Sequence, residues 1–419
     1  MINWLIFSLT TLLTLHSLLD FFSMFYSWQD IDRTKLRKSP RKFKLPNLTF
    51  SLLLPVRNES KVIKDTLVSM SKISYPKSLF EVIILCRSDD KLTLDAIKKT
   101  LTYLKTKNIK LQIVGTEADN KPKSLNIGLS KSKKQIIGIF DAEDEPHKDI
   151  LNIINTLIIS TNSDIIQSGV QLMNYQSKWF SLFNVLEYYF WFKSSMPFFA
   201  QVGVVPLGGN TVFFKRNLLN KNNGWNENML TEDADIGIRM SVKDARILVV
   251  YDEKHVTKEE TPSSVSEFIK QRTRWNQGFL QIFLKFDWVK IKGAKRKILC
   301  AYVLIVPILQ TFWVIYFPLM IVVYFTITIP GKLIFLTTIP FIILASQLYF
   351  YNFAAYDFTK DYNFKYSPKL ILKVLTTYYP YQVMLSFSSI RAVYRIFKNQ
   401  NTWEKTTHQN THRQTQSIV

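Results

Sequence analysis

Residues 135–145 read Gln-Ile-Ile-Gly-Ile-Phe-Asp-Ala-Glu-Asp-Glu, a short apolar run that stops abruptly at a group of carboxylates. An apolar run without polar alternation suits a strand buried on both faces, as in parallel sheets. The spacing therefore predicts a strand over 135–140, with Asp141-Ala142-Glu143-Asp144-Glu145 at its exit. Working back along the chain, 50–55, 81–86 and 111–114 read as three more strands. Between them, 62–72, 94–107 and 124–130 carry helical spacing. Strands alternating with helices predict an α/β fold, a mostly parallel sheet covered by helices on both faces. Ligands of such sheets bind at the carboxyl ends of the strands. The loops to search are thus Arg57-Asn58-Glu59, Asp89-Asp90 and the acidic run from Asp141.

Those loops contain no Gly-x-Gly-x-x-Gly and no Walker sequence, which argues against a dinucleotide dehydrogenase and a P-loop ATPase. Without a glycine cradle, phosphate charge has to be met by other means, and a divalent cation on carboxylates is the direct one. Asp141 and Glu143, two residues apart at a strand exit, can face one hard cation. The same pattern also suits a solvated acidic turn. A second acidic group, Thr231-Glu232-Asp233-Ala234-Asp235, offers a carboxylate to take a proton from a hydroxyl, or a helix N-cap. A third group, Gln271-Arg272-Thr273-Arg274-Trp275, offers an arginine for a departing anion and an indole for a sugar face. It also suits an amphipathic helix on a membrane surface.

The chain has 419 residues and a formal charge of +22, from 54 Lys+Arg against 32 Asp+Glu. Seven basic residues fall within 33–44, after an apolar N-terminal run, and Lys292, Lys295, Arg296 and Lys297 precede another. Basic clusters beside apolar segments point to membrane flanks and membrane lipids rather than to nucleic acid. The run over 5–26, interrupted by His16 and Asp20, is long enough to cross a bilayer. No basic residue precedes it, so a retained anchor with its N-terminus outside is expected, not a cleaved signal peptide. Further apolar runs lie near 298–329, 333–355 and 370–397. The first is long enough to combine an interfacial helix with a crossing one, and Tyr378-Tyr379-Pro380 breaks the last. Three or four crossings remain open, with Arg391, Arg395, Lys398 and Lys405 favouring a C-terminus inside. Two cysteines exclude a disulfide framework. The five histidines do not cluster in sequence, which argues against zinc.

Taken together and in this order, the motifs resemble those of the family 2 inverting glycosyltransferases of the cellulose-synthase-like membrane group, over about residues 50–408. That resemblance implies a GT-A-type nucleotide-sugar domain with transmembrane helices at both ends. By the same resemblance, Asp89 and Asp90 match aspartates that contact the nucleotide. Lys121 and Asn126, in Lys-Pro-Lys-Ser-Leu-Asn, match a segment near the donor diphosphate. Asp141 and Glu143 match the Asp-x-Asp positions that hold the donor and a Mg²⁺ or Mn²⁺ ion. Asp233, with Glu232 beside it, matches the catalytic base of Thr-Glu-Asp. Gln271, Arg274 and Trp275 match Gln-x-x-Arg-Trp, with Arg274 catalytic and Gln271 and Trp275 toward the acceptor. Gly209, in Pro-Leu-Gly-Gly-Asn, matches a segment near the acceptor sugar. Trp403-Glu404-Lys405-Thr406 and His408 resemble a tail motif of bacterial and archaeal members. The chain departs from the pattern at Glu143, where many relatives carry Asp, which leaves Asp144 open as a further ligand. It also departs at Arg57, where an aromatic residue is common.

The resulting expectation is an anchor over 1–28, a basic cytoplasmic linker over 29–48 and a catalytic domain over 49–290. Membrane and interfacial helices follow over 291–397, then a polar tail over 398–419. The protein is expected to sit in the cell membrane as a multi-pass chain with its catalytic domain cytoplasmic. Its partners are a nucleotide-sugar donor, a polysaccharide or lipid-linked acceptor and membrane lipids, with no nucleic acid.

Overall fold

A computed structural model of the chain describes residues 2–29, 37–405 and 409–415. Arg33 and Lys35 of the basic linker, and Thr406 and His408 of the tail motif, lie outside the described residues. The first helix is α1 (Ile2–Gln29). It is followed by β1 (Phe50–Val56), α2 (Ile63–Ser71), β2 (Phe80–Arg87), α3 (Lys91–Leu104), β3 (Ile109–Val114), α4 (Lys121–Lys131) and β4 (Ile136–Ile139). The middle continues through α5 (Ile150–Thr161), β5 (Ile165–Ser168), β6 (Val170–Leu172), α6 (Ser181–Phe190), a π-helical turn (Trp191–Ser195) and α7 (Met196–Val202). Next come β7 (Val212–Lys215), α8 (Arg216–Lys221), α9 (Glu232–Val242), β8 (Ile247–Val250), β9 (Thr257–Glu259) and α10 (Val265–Lys285). Three long helices, α11 (Ala294–Thr326), α12 (Gly331–Asp361) and α13 (Pro368–Phe397), precede a short α14 (Thr411–Thr415).

The seven-stranded sheet has the order β3-β2-β1-β4-β7-β5-β8. All its neighbours are parallel except β7, which runs antiparallel to β4 and β5. The first four strands alternate with helices as the sequence predicts. Both faces of β1 are buried: Phe50, Leu52 and Leu54 pack with Leu67 and Ile154 on one side, and Leu53 packs with Leu125 and Leu129 on the other. That two-sided burial is why the strand reads as a near-continuous apolar run. From β1 the order runs outward through β2 and β3 on one side and β4 on the other. This is the reversal that opens a crevice at the strand ends.

Among the described residues, α1, α11 and α12 are long and apolar enough to cross a membrane. Two expectations about the C-terminal third need correction. The run from 298 forms one helix of 33 residues with Pro307 and Pro318 inside it, not an interfacial helix joined to a crossing one. Arg296, in its first turn, fixes it to the sheet domain by donating to Gly203 O at 2.8 Å and pairing with Asp244 at 2.7 Å. The run from 370 is likewise unbroken, with Pro380 inside α13. A proline removes one helix hydrogen bond, and packing of α13 against α10 and α11 carries the helix through it.

Candidate active site

The loops after β1 and β4, the start of α4, the start of α9 and one face of α10 surround a cavity of about 500 Å³. Lys121 ties these segments together. Its Nζ stands 2.5 Å from Asp141 Oδ1 and 3.9 Å from Glu232 Oε1, and it donates to Gly209 O at 3.2 Å. Burial alone would lower the Lys121 pKa, but Asp141 and Glu232 outweigh it and hold the ammonium above its ordinary range.

Asp233 follows at the first turn of α9. Thr231 occupies the N-cap position without a capping hydrogen bond, and Asp233 Oδ1 accepts from Ala234 N at 2.8 Å. A Cβ at Gly209 would lie 2.5 Å from Asp233 Oδ2, and Gly209 has φ of +82°. Glycine is thus required there twice over, by the close approach and by the left-handed backbone. Burial raises the Asp233 pKa against the pull of Lys121. Burial and then Asp233 raise Glu232 to about 7. Both carboxyls are thus held above their ordinary range.

Helix α10 starts at Ser264, whose side chain accepts from Glu267 N at 3.2 Å. Gln271, Arg274 and Trp275 are spaced to share one face, and all three reach the cavity wall. Burial lowers the Arg274 pKa against the opposing carboxylates of Glu232 and Asp233. Its guanidinium lies 4.3 Å from the Trp403 ring centre, so the tail closes over it.

At the exit of β4, Asp141 and Glu143 both line the cavity. Burial, then Asp141, Glu59 and Asp144, push the Glu143 carboxyl well up. Asp144 is fully buried and is raised to about 7 by burial and Asp141. It accepts from Asn210 Nδ2 at 3.0 Å and from Asp141 N at 2.8 Å. Asn210 also donates to Glu259, another buried carboxyl held high by burial and Asp144. Carboxylate oxygens gathered on one wall are the donor set of a hard divalent cation. Asp141 and Glu143 therefore fit Mg²⁺ or Mn²⁺. Asp144 is already committed to Asn210 and the Asp141 amide, which places it behind the ligands.

Three expected site residues stand off the cavity. Asp89 pairs with Arg87, whose Nε donates to Asp89 Oδ1 at 2.8 Å, and Arg87 rather than Asp89 lines the wall. Asp90 caps α3, accepting from Thr93 N at 3.3 Å, and holds the loop after β1 through Asn58 N at 2.5 Å. Asn126 braces the loop before α9, donating to Trp225 O at 2.9 Å and accepting from Trp225 N at 2.9 Å. Their side chains are spent on the scaffold.

Other wall residues were not among the expected site residues. Arg272 pairs with Glu187 at 2.5 Å and lies 4.6 Å from the Trp275 ring centre. Lys405 pairs with Glu59 at 2.8 Å and also donates to the carbonyl of Arg57. Glu187 is the lone charge in an apolar stretch, a signal that could have found it. The cavity also continues between the long helices, past His16 and Asp20, to Gln310, Gln347 and Gln382. The histidines, scattered in sequence, do meet in one place in the fold: the ring centres of His147 and His255 are 4.6 Å apart.

Residues 46–278 match the family model described as glycosyltransferase like family 2. The chain is 25% identical over 253 residues to Probable glycosyltransferase YdaM of Bacillus subtilis, covering 59% of each protein. It is 26% identical over 241 residues to Beta-monoglucosyldiacylglycerol synthase of Nostoc sp., covering 56% of this chain and 50% of that protein. Probable glucomannan 4-beta-mannosyltransferase 2 of Oryza sativa is 24% identical over 243 residues, covering 56% and 41%. The matched part spans about half the length of these relatives. In fold, the chain is similar to the solved structure of the mannosyltransferase PcManGT from Pyrobaculum calidifontis, in complex with GDP-Man and Mn²⁺. The TM-score is 0.62 at 17% identity, over 96% of this chain and 100% of that one.

Proposed function

The chain belongs to glycosyltransferase like family 2, and from that premise we propose that it moves a hexose or N-acetylhexosamine from a nucleotide-diphosphate sugar to an acceptor hydroxyl with inversion. UDP is the proposed carrier and a growing polysaccharide the proposed acceptor. The observation that carries this reading is the convergence of Asp233, Lys121 and Arg274 on one cavity wall that also bears Asp141 and Glu143.

In this mechanism Asp233 accepts the proton of the acceptor hydroxyl. The acceptor oxygen bonds to the anomeric carbon as the bond to the diphosphate oxygen breaks on the opposite face. Lys121 and Arg274 balance the charge that gathers on the leaving nucleotide diphosphate. Glu232 stays near neutral pKa beside the base and orients Lys121. Asp141 and Glu143 would hold Mg²⁺ or Mn²⁺, which when bound offsets the donor's charge. Gln271 and Trp275 face the acceptor side, and Asp90 and Asn126 act through the loops they brace. The three apolar helices would cross the cell membrane, with the sheet domain and its basic flanks on the cytoplasmic side.

A second reading, addition of one sugar to a membrane lipid, is favoured by the apolar residues Val303, Val306 and Leu385 on the same cavity wall. The test is full-length protein in nanodiscs with a panel of nucleotide sugars, reading both nucleotide diphosphate release and product size. A ladder of oligomers supports the polymer acceptor, and a single lipid-linked product supports the second reading. Intact protein that releases nothing from any donor, with lipid and glycan acceptors supplied, contradicts both.

A further inference from the structure

Away from the cavity, the segment between Glu145 and α5 meets the loop before β9. Glu145 and Lys258 exchange backbone hydrogen bonds of 3.1 Å in both directions. Just beyond this bridge stand His147, Asp149 and His255, which together offer one ligand atom each, all within 4.8 Å of one another. We propose that these three side chains form a zinc site, separate from the Asp141 and Glu143 pair, that clamps the two loops together.

Three features make this more than proximity. First, His255 is oriented as zinc-binding histidines are. Its Nδ1 stands 3.0 Å from Asp252 Oδ2. A proton on that nitrogen leaves the Nε2 lone pair for a metal, the carboxylate–histidine–metal arrangement. Asp252 is itself fixed, accepting from Ser39 N at 3.1 Å and Lys254 N at 3.2 Å. Second, Asp149 occupies the N-cap position of α5 yet makes no side-chain capping bond. An aspartate there ordinarily satisfies the first free amides. Here its Oδ2 faces His147 Nδ1 at 3.8 Å instead. Third, His147 Nδ1 faces Asp149, 3.2 Å from its N and 3.8 Å from its Oδ2, so a metal bound there would take over the lone pair that now accepts from that amide.

Two imidazoles and one carboxylate match the softness and ligand count of Zn²⁺ with water in the fourth place. Zinc–ligand bonds of ~2.0–2.1 Å put tetrahedral ligand atoms about 3.3 Å apart. Small rotations of the three side chains close the present spacing to that. The side chains are 28%, 22% and 24% exposed, open enough for an ion and a water to enter. Asp149 and Asp252 supply the negative charge that offsets Lys148 and Lys258. The clamped segments carry Asp141 and Glu143 on one side and Glu259 on the other, so the site would set the geometry of the acidic loop from behind.

The test uses full-length protein in detergent, stripped with chelator, titrated with Zn²⁺ alone and followed by metal content after gel filtration and by thermal unfolding. The expected result is about one retained zinc and a raised Tm, with both lost in His255→Ala and His147→Ala. Asp252→Asn should weaken zinc binding by about 10–100-fold, as loss of an outer carboxylate partner does. Asp141→Asn should keep the zinc, because its side chain belongs to the other site. Wild-type protein that retains no zinc and shows no thermal shift overturns the proposal without any variant. Zinc lost in Asp141→Asn but kept in His255→Ala overturns it as well. If the alanine variants do not fold, Asp149→Asn and Co²⁺ loading of the wild type decide, since a tetrahedral site gives Co²⁺ a strong visible absorption and its absence sinks the idea.

Discussion

The two ends of the cavity are built from opposite materials. At the sheet end, Asp141, Glu143, Glu232 and Asp233 face Lys121 and Arg274, with Lys121 drawn to 2.5 Å from a carboxylate. Between the long helices the wall is instead carboxamides and phenols. Gln310 donates to Gln382 at 2.6 Å, and Tyr302 meets His16 Nδ1 at 3.1 Å. Asp20 is the charged exception there, within 3.4 Å of Gln347. Charge among apolar helices is expensive, whereas neutral donors and acceptors can hold sugar hydroxyls at low cost. Under the proposed function, the contrast would put bond chemistry at the sheet end and acceptor handling at the helix end. The Arg272–Glu187 pair and Trp275 stand at the junction.

This division can be broken by mutation. Asp233→Asn should lower transfer by about 10²–10⁴-fold while leaving donor affinity within a few-fold, measured by turnover and by nucleotide-sugar binding. Equal losses in both would make Asp233 a binding residue. Lys121→Met should cost about 10²–10³ in kcat, as removal of a preorganised charge partner does, and kcat near wild type would remove it from the chemistry. Gly209→Ala forces a Cβ to 2.5 Å from Asp233 Oδ2, so it should lower kcat by about tenfold or more through displacement of the base. Unchanged kcat with an intact fold would show that the close approach is dispensable.

The pH profile sharpens the same point. With Glu232 raised to about 7 and Asp233 raised beside it, the base is protonated at low pH. The kcat/KM of free enzyme should therefore fall as pH drops through a value above the ordinary aspartate range, and a limb at the ordinary aspartate value would contradict a buried Asp233 base. The smallest effect belongs to the helix end. Gln382→Leu should leave donor hydrolysis within about threefold while shortening products or weakening acceptor use, because a lost neutral hydrogen bond is worth only about 0.5–1.5 kcal/mol. A large loss of donor hydrolysis would erase the distinction between the ends.

The legible part of the fold was the part with two-sided burial. Strands β1, β2 and β4 carry near-continuous apolar runs because helices cover both faces, and the sequence signal is that burial. Of the wall residues, Asp141, Glu143, Glu232, Asp233, Gln271, Arg274 and Trp275 stood out because they cluster at a strand exit or at helix spacing, whereas Lys121 and Gly209 came from the family resemblance. Asp89, Asp90 and Asn126 stand off the cavity, because a polar residue after a strand serves a cap or a loop brace as well as a ligand. Glu187 and Glu259 were hidden because each comes to the cavity from a distant segment, which only the packed chain brings near, and Lys405 was named only as part of the tail motif for the same reason. His147 and His255 were hidden for the same reason, being far apart in sequence and joined by the Glu145–Lys258 bridge. The proline in α13 misled because a local breaking signal lost to packing against two neighbouring helices.

The anomeric configuration of the transferred sugar is the most direct probe of the chemistry. With an α-linked nucleotide sugar as donor, the product linkage can be read by NMR. One displacement driven by Asp233 gives a β-linked product. An α-linked product would require a second displacement or front-face attack, and would contradict Asp233 as the base of a single inverting step.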